Sequence, residues 1–276
     1  MRLAVLSNVH GNLPAFRAVL DHIEARSEPV DEIVAAGDLV GLGPNPNEVM
    51  DLVRERGIEA VRGNYDEAVA FGRPTGVDHL DQQSALTDRR AVAWTRAVLS
   101  EQNLELLRNL PRDVRVFPSI SGVRVKRDAP DGATEEYRKE FYRRALLGGL
   151  FKSHARPVKR VRVVHGSPRA LNEFIWPDTA QSILETIARD ADADMLVTGH
   201  AATGFHTVHQ RLHFVGAGAV AGSVAPGVAN YTIVTLGSEI EAAFETAEYD
   251  PEPYLEASRA IGLPAPEAPR DTLRLV

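Results

Sequence analysis

The chain has 276 residues, of which 44% are apolar and 25% are charged, and its formal net charge is −7. This composition is typical of a globular protein and excludes a mainly disordered or fibrous chain. The sequence contains no cysteine, which excludes disulfide bonds, zinc–thiolate sites and a cysteine nucleophile. The apolar runs are too short for a membrane-spanning helix or a signal-peptide core, so we expect a cytoplasmic protein with no membrane partner.

The first 65 residues alternate between short apolar runs and amphipathic helical patterns. Strands are predicted at residues 3–6, 33–36 and 58–62. Between them, Asn12 is a candidate N-cap for one helix, and Asn45 begins the next. This alternation of strands and helices predicts a parallel sheet with right-handed crossover connections.

The rest of the chain has a different pattern. We predict helices within residues 78–110, a strand pair at 114–117 and 123–125, and strands at 161–164 and 195–197. Three alternating segments at 212–215, 231–236 and 240–248 are interpreted as strands of an antiparallel second sheet. Residues 249–276 are predicted to form a C-terminal helix and a loose tail.

A basic segment stands out from this acidic chain. Residues 124–162 carry twelve basic and five acidic side chains and contain all four lysines. Within them, residues 134–147 have the pattern of an amphipathic helix with a basic face. We interpret residues 126–160 as an inserted element that draws a phosphate substrate or a nucleic acid towards the site. The alternative is a solvated helix whose arginines balance the acidic body.

Polar residues that can bind a metal follow five of the predicted strands, each beside or near a glycine. They are Asn8 and His10, then Asp38, Asn64, His165 and His200. In open α/β sheets, ligands bind outside the carboxyl ends of the strands, which lie at one edge of the sheet. Taken alone, each of these residues is more often part of a turn or a structural histidine than a metal ligand. Together, the five strand ends predict a metal site.

These strand ends resemble the five sequence blocks of the calcineurin-like metallophosphoesterases, and the likeness is closest to the small bacterial members. The blocks are residues 6–12, 37–38, 62–66, 164–168 and 198–200. The resemblance extends over residues 1–240 and implies one domain over residues 1–248. The implied fold is a four-layer α/β/β/α sandwich of two mixed β-sheets flanked by helices. The implied activity is phosphodiester hydrolysis, in which a metal-bound hydroxide attacks phosphorus over two divalent ions.

The resemblance also implies roles for individual residues. Metal binding falls on Asn8, His10, Asp38, Asn64, His165 and His200, catalysis on His10, Asp38 and Asn64, and substrate binding on Asn12 and Tyr65. Three positions depart from the family pattern: Asn8 replaces an aspartate, and Tyr65 and Ala202 each replace a histidine. Because Asn8 and Ala202 remove a charge and a donor from the same site, we expect one strongly bound Mn²⁺, Fe²⁺ or Zn²⁺. The second ion is expected to be weak or absent.

Two functions remain open at this point. The first is a metal-dependent phosphoesterase, and the second is a regulatory protein that binds a phosphate-containing ligand on the same scaffold without hydrolysing it.

His206 and His209 could replace the histidine that is missing at position 202, although the alternative is that both are surface histidines. The glycine-rich residues 216–222 superficially suggest a dinucleotide-binding turn, but neither a helix pattern nor an acidic partner follows them, which argues against one.

Overall fold

In the computed structural model, two β-sheets pack face to face, and helices cover their outer sides. The structure describes residues 1–77, 82–119, 122–127, 160–221 and 227–263. The strands, in chain order, are β1 (Arg2–Leu6), β2 (Glu32–Ala35), β3 (Glu59–Ala60), β4 (Asp113–Ser119), β5 (Gly122–Arg127), β6 (Val161–Val164), β7 (Met195–Thr198), β8 (Gly204–His209), β9 (Leu212–Ala217), β10 (Val228–Leu236) and β11 (Ile240–Glu248). The helices are α1 (Leu13–Glu24), α2 (Pro46–Glu55), α3 (Asn64–Phe71), α4 (Gln82–Val98), α5 (Glu101–Arg108), α6 (Gln181–Ala191) and α7 (Glu252–Ala260).

The first sheet has the strand order β11-β10-β1-β2-β3. Strands β1, β2 and β3 are parallel, which confirms the parallel arrangement predicted for the first 65 residues. Strands β10 and β11 extend this sheet on the other side, with β10 antiparallel to β1 and β11 antiparallel to β10.

The second sheet has the strand order β5-β4-β6-β7-β9-β8. Strands β6, β7 and β9 are parallel, whereas β4, β5 and β8 run antiparallel to their neighbours. The predicted antiparallel second sheet is therefore wrong, although its three strands exist. Alternating burial indicates that a strand has one buried face, but it does not specify which sheet the strand joins.

The packing has three apolar layers, which confirms the predicted α/β/β/α sandwich. Side chains such as Val5 of β1 and Val197 of β7 fill the space between the sheets. Phe16 of α1 packs on the outer face of the first sheet, and Ile187 of α6 packs on the outer face of the second. Both helices bury one apolar stripe, as expected for surface helices of a sandwich.

The helix predictions are confirmed in part. Asn12 is the N-cap of α1, and its side chain accepts a hydrogen bond from the backbone N–H of Ala15. The helical region predicted within 78–110 contains two helices, because Ser100 caps the start of α5. The short helix α3 was not predicted. No helix in the described part of the chain has both the length and the apolar character needed to cross a membrane.

Two predictions fall largely outside the described residues. These are the basic helix at 134–147, with most of the inserted element 126–160, and the tail beyond residue 263. The C-terminal helix that precedes the tail is present as α7. The role of the inserted element and the domain boundaries stay predictions.

Candidate metal centre

The predicted ligands lie in loops that follow the carboxyl ends of β1, β2, β6 and β7 and at the start of α3. Asn8, His10 and Asp38 adopt left-handed backbone conformations, with φ values of 52°, 47° and 56°. Non-glycine residues adopt this conformation at an energetic cost, and such strain is concentrated at functional sites. The backbone N–H of Asn8 donates to the carbonyl oxygen of Gly37 at 3.1 Å, and that of His10 donates to Asp38 at 2.9 Å. These bonds join the two loops and hold the strained residues in place.

His165 is the centre of the cluster and is fully buried. Its Nδ1 lies 2.7 Å from the carbonyl oxygen of Ala36, which can only accept a hydrogen bond, so Nδ1 carries a proton. Nε2 lies 2.9 Å from Oδ1 of Asn64, 3.1 Å from Nδ1 of His200 and 3.2 Å from Oδ2 of Asp38. Three atoms that can accept a hydrogen bond or bind a metal thus surround Nε2, itself a potential ligand atom.

The donor set fits a divalent cation. Potential ligand atoms of Asp38, His165 and His200 all lie within 4.8 Å of one another. Asn64 completes the set, because its Nδ2 donates to the carbonyl oxygen of Thr75 at 3.0 Å and its Oδ1 faces His165. Two imidazoles, a carboxylate and an amide oxygen form a mixed nitrogen and oxygen site of the kind that Mn²⁺, Fe²⁺ and Zn²⁺ occupy.

The electrostatics of the cluster favour a positive charge at its centre. Burial raises the pKa of Asp38, but attraction to His165 and a hydrogen bond from it outweigh burial and lower that pKa to about 2. Burial lowers the pKa of His165, but the Asp38 carboxylate outweighs burial and the pKa is raised overall. Burial, followed by repulsion from His165, lowers the pKa of His200 to about 3. His200 therefore keeps a free lone pair at neutral pH.

Asp66 supports the ligands without belonging to the cluster. Its carboxylate accepts hydrogen bonds from the backbone N–H groups of Val40, at 3.1 Å, and Gly63, at 2.9 Å. Burial, followed by the nearby charge of Asp38, raises the pKa of Asp66 to about 7. Asp66 joins the loop that carries Asp38 to the start of the helix that carries Asn64. Asp66 is the third residue of α3, and because α3 itself was not predicted, the sequence analysis did not identify Asp66.

The glycine beside Asn64 is required by close packing. A Cβ atom on Gly63 would lie 2.1 Å from Oδ1 of Asp38 and 2.3 Å from its backbone nitrogen. The backbone of Gly63 is extended, with φ of −89°, so the requirement is steric and not conformational. The backbone N–H of Tyr65 donates to the same Oδ1 at 2.9 Å. The start of α3 therefore closes directly over the Asp38 carboxylate.

The buried Asn8 and the partly exposed His10 lie beside the cluster. Nδ2 of Asn8 donates to the carbonyl oxygen of Gly199 at 2.7 Å and to Oγ of Ser7 at 3.1 Å. His10 is partly exposed, and its Nε2 lies 3.8 Å from Oδ2 of Asp38. The Asp38 carboxylate thus lies between His10 and His165.

The two histidines considered as replacements for the missing ligand lie on β8. Nε2 of the exposed His206 is 2.9 Å from Nδ1 of His213 on β9. Neither His206 nor His209 belongs to the cluster around His165. The surface interpretation of His206 agrees with this placement.

The two predicted substrate-binding residues both have structural partners. Asn12 caps α1, and its Nδ2 donates to the hydroxyl of Tyr249 at 3.1 Å. The hydroxyl of Tyr65 donates to Oδ2 of Asp88 at 2.6 Å. The ring of Tyr65 meets the edge of His10, with a centroid distance of 4.9 Å. Asp88 is buried on α4 and was not predicted, since an isolated aspartate in a helix has no distinguishing sequence signal.

Known proteins resemble this chain in sequence and in fold. The family model for calcineurin-like phosphoesterases matches residues 1–203. An uncharacterised protein of Methanocaldococcus jannaschii is 38% identical over 109 residues, which cover 40% of this chain and 42% of that protein. The matched segment thus spans less than half the length of this relative.

Two solved structures share the fold along nearly the whole chain. A hypothetical protein from Pyrococcus horikoshii OT3 has a TM-score of 0.70 at 22% identity, over 95% of this chain and 94% of that one. A metallophosphoesterase from Sphaerobacter thermophilus has a TM-score of 0.63 at 26% identity, over 96% and 95% of the two chains. Together with the clustered strand-end ligands, the family match confirms the resemblance found in the sequence: the chain belongs to the calcineurin-like phosphoesterase family.

Proposed function

We propose that the protein is a metal-dependent phosphodiesterase that holds one divalent cation through Asp38, Asn64, His165 and His200. The observation that carries this proposal is the convergence of the other three donors on Nε2 of His165. Membership of the phosphoesterase family supports phosphoester hydrolysis, and the mixed donor set supports Mn²⁺, Fe²⁺ or Zn²⁺ as the ion.

A cation bound at this site supplies Lewis acidity towards a phosphoryl oxygen. The protein's own residues then hold the substrate. His10 is partly exposed and lies beside Asp38, so its imidazole is placed to contact a phosphoryl or leaving-group oxygen. Tyr65 packs against the His10 ring and restricts its orientation. Asn12 fixes the start of α1 directly after the His10 turn.

A second ion is proposed to bind weakly or not at all. The residues available for it are Asn8, His10 and Asp38. In the structure the nitrogen of the Asn8 amide is directed at backbone oxygen, and Ala202 offers no side-chain donor. A neutral amide and a single imidazole add little to the charge of Asp38, and hard cations depend on ligand charge and number.

The test is hydrolysis of bis-p-nitrophenyl phosphate by the purified protein with added Mn²⁺, compared with the His165→Ala variant. His206→Ala is the matched control, because His206 is an exposed histidine outside the cluster. We expect activity that EDTA removes, that His206→Ala retains and that His165→Ala loses. The proposal is contradicted if no tested metal gives activity, or if His165→Ala remains as active as the control.

A regulatory phosphate-binding protein is the second candidate, and the Asn8 amide together with Ala202 favours it. In that case the Mn²⁺-loaded protein would bind inorganic phosphate in isothermal titration calorimetry and would fail to hydrolyse any phosphodiester. Restoring the missing metal ligands with Asn8→Asp and Ala202→His would then distinguish the two cases. A weakened enzyme would hydrolyse the phosphodiester again, and a binding protein would not.

A further inference from the structure

Three aromatic rings run from the metal centre towards the surface. Phe174 stacks on the ring of His200, with a centroid distance of 4.1 Å and an angle of 30°. Trp176 stacks on Phe174, with a centroid distance of 5.4 Å and an angle of 6°. Phe174 and Trp176 are both partly exposed, in the loop that connects β6 to α6. Neither residue has a role in the cation site itself.

The loop holds this pair in a fixed position. Ile175 between them is fully buried in the core formed by α6 and the second sheet. The backbone N–H of Trp176 donates to Oγ1 of Thr179 at 2.7 Å, and the N–H of Thr179 donates back to the carbonyl oxygen of Trp176 at 3.1 Å. A buried anchor and a closed turn therefore fix both rings before any ligand binds.

Polar contacts fix the rest of the loop. Glu173 accepts hydrogen bonds from Ser167 and Arg169. Nδ2 of Asn172 donates to the carbonyl oxygen of Gly76 at 3.0 Å. The carbonyl oxygen of the preceding residue, Thr75, accepts a hydrogen bond from the side-chain amide of Asn64. The aromatic pair and the cation ligands are thus connected through adjacent backbone groups, and their relative position is fixed.

We infer that Trp176, backed by Phe174, forms a platform for a planar aromatic group of the phosphoester substrate, of which a nucleobase is the common biological example. The inference rests on the proposed function and names its substrate class as nucleotide phosphoesters. Rings that are fixed and partly exposed bind a base without the entropic cost of ordering a loop. Stacking tolerates different bases, because every base presents a π face. The platform therefore selects an aromatic group beside the phosphate and does not select one base.

The test compares adenosine 5′-monophosphate with ribose 5-phosphate, which share the phosphate and sugar and differ in the base. Both are titrated into the Mn²⁺-loaded protein by isothermal titration calorimetry. We expect the nucleotide to bind about tenfold more tightly, in line with base–aromatic stacking. Trp176→Leu should remove this difference, and Trp176→Phe should keep most of it. In a Trp94→Phe background, Trp176 is the remaining tryptophan, and the nucleotide should quench its fluorescence.

Each other outcome overturns a defined part of the argument. Equal affinity for the two compounds in a protein that hydrolyses bis-p-nitrophenyl phosphate refutes the platform and leaves the proposed function intact. An equal loss of affinity for both compounds in Trp176→Leu shows that the stack merely positions His200. Failure to bind either compound refutes the platform, and hydrolysis of bis-p-nitrophenyl phosphate then decides separately whether the proposed function stands.

Discussion

The side-chain amide of Asn8 donates a hydrogen bond to the carbonyl oxygen of Gly199, over 2.7 Å. Gly199 directly precedes the candidate ligand His200, so this bond connects the loop after β1 to the loop after β7. An amide can donate here and a carboxylate cannot. Asparagine at position 8 therefore holds these two loops together in the absence of a cation. The carboxylate of an aspartate would face the carbonyl oxygen of Gly199 without a hydrogen bond.

Asn8→Asp is expected to destabilise the metal-free protein. The substitution removes the bond to Gly199 and places a buried carboxylate beside oxygen atoms, which should lower the free energy of unfolding by about 1–3 kcal/mol. Mn²⁺ should recover part of this loss, because a cation would neutralise the new carboxylate. Urea unfolding with and without Mn²⁺ measures both effects.

Asn8→Ala is the matched control, since it removes the same bond without adding a charge. Its loss of stability should not respond to Mn²⁺ beyond the response of the wild-type protein. If Asn8→Asp and Asn8→Ala respond equally to the ion, position 8 does not face a cation site.

The double variant Asn8→Asp with Ala202→His is expected to bind a second ion. It adds a charge and a donor to the position proposed for the second ion. Ala202 has a left-handed backbone, with φ of 54°, a conformation in which histidine is more common than most non-glycine residues. Elemental analysis after dialysis should give one ion in the wild-type protein and two in the variant. A variant that still retains a single ion would mean that positions 8 and 202 do not share a site.

The cluster of candidate ligands could be predicted from the sequence because parallel strands bring their carboxyl ends to one edge. Asp38 and His165 are far apart in the chain, yet each lies within three residues of the end of a strand. The helix α3 could not be predicted in the same way. Six of its eight residues are buried, so it lacks the polar face that identifies an amphipathic helix.

The partners of the late strands were also beyond the sequence pattern. Strand β10 pairs with β1, and Ala4 lies opposite Ile233, although the two strands are separated by most of the chain. The pairing depends on which edge of the first sheet remains open after β2 and β3 have formed, and this is a property of the whole topology. Side-chain contacts between elements, such as Tyr65 with Asp88, depend on the same three-dimensional information.

Asp66→Ala is expected to destabilise the protein and weaken cation binding. The substitution leaves the buried N–H groups of Val40 and Gly63 without their carboxylate acceptor, which should cost about 2–4 kcal/mol. The loops that carry Asp38 and Asn64 then lose a common anchor, so Mn²⁺ affinity should fall about 10–100-fold, as for other residues that orient metal ligands. Urea unfolding and calorimetric titration with Mn²⁺ measure the two effects.

Asp21→Ala is the control for Asp66→Ala, because Asp21 is an exposed aspartate on α1, outside the cluster. Its effect on stability should stay below about 0.5 kcal/mol, with no change in Mn²⁺ affinity. Unchanged Mn²⁺ affinity in a folded Asp66→Ala protein would contradict the proposed anchoring role.

Tyr65 and Asp88 are expected to be energetically coupled. Their hydrogen bond of 2.6 Å lies between two buried side chains and joins α3 to α4, and a hydrogen bond to a carboxylate contributes about 1.5–3 kcal/mol. A double-mutant cycle of Tyr65→Phe and Asp88→Ala, measured by urea unfolding, should therefore give a coupling energy in this range. The control cycle combines Asp88→Ala with Tyr231→Phe, because the hydroxyl of Tyr231 contacts His22. Its coupling energy should be near zero. Both substitutions remove a tyrosine hydroxyl that takes part in a hydrogen bond, so the comparison tests the position of the hydroxyl and not only its loss. Equal coupling in the two cycles would mean that Asp88 does not hold Tyr65 beside His10.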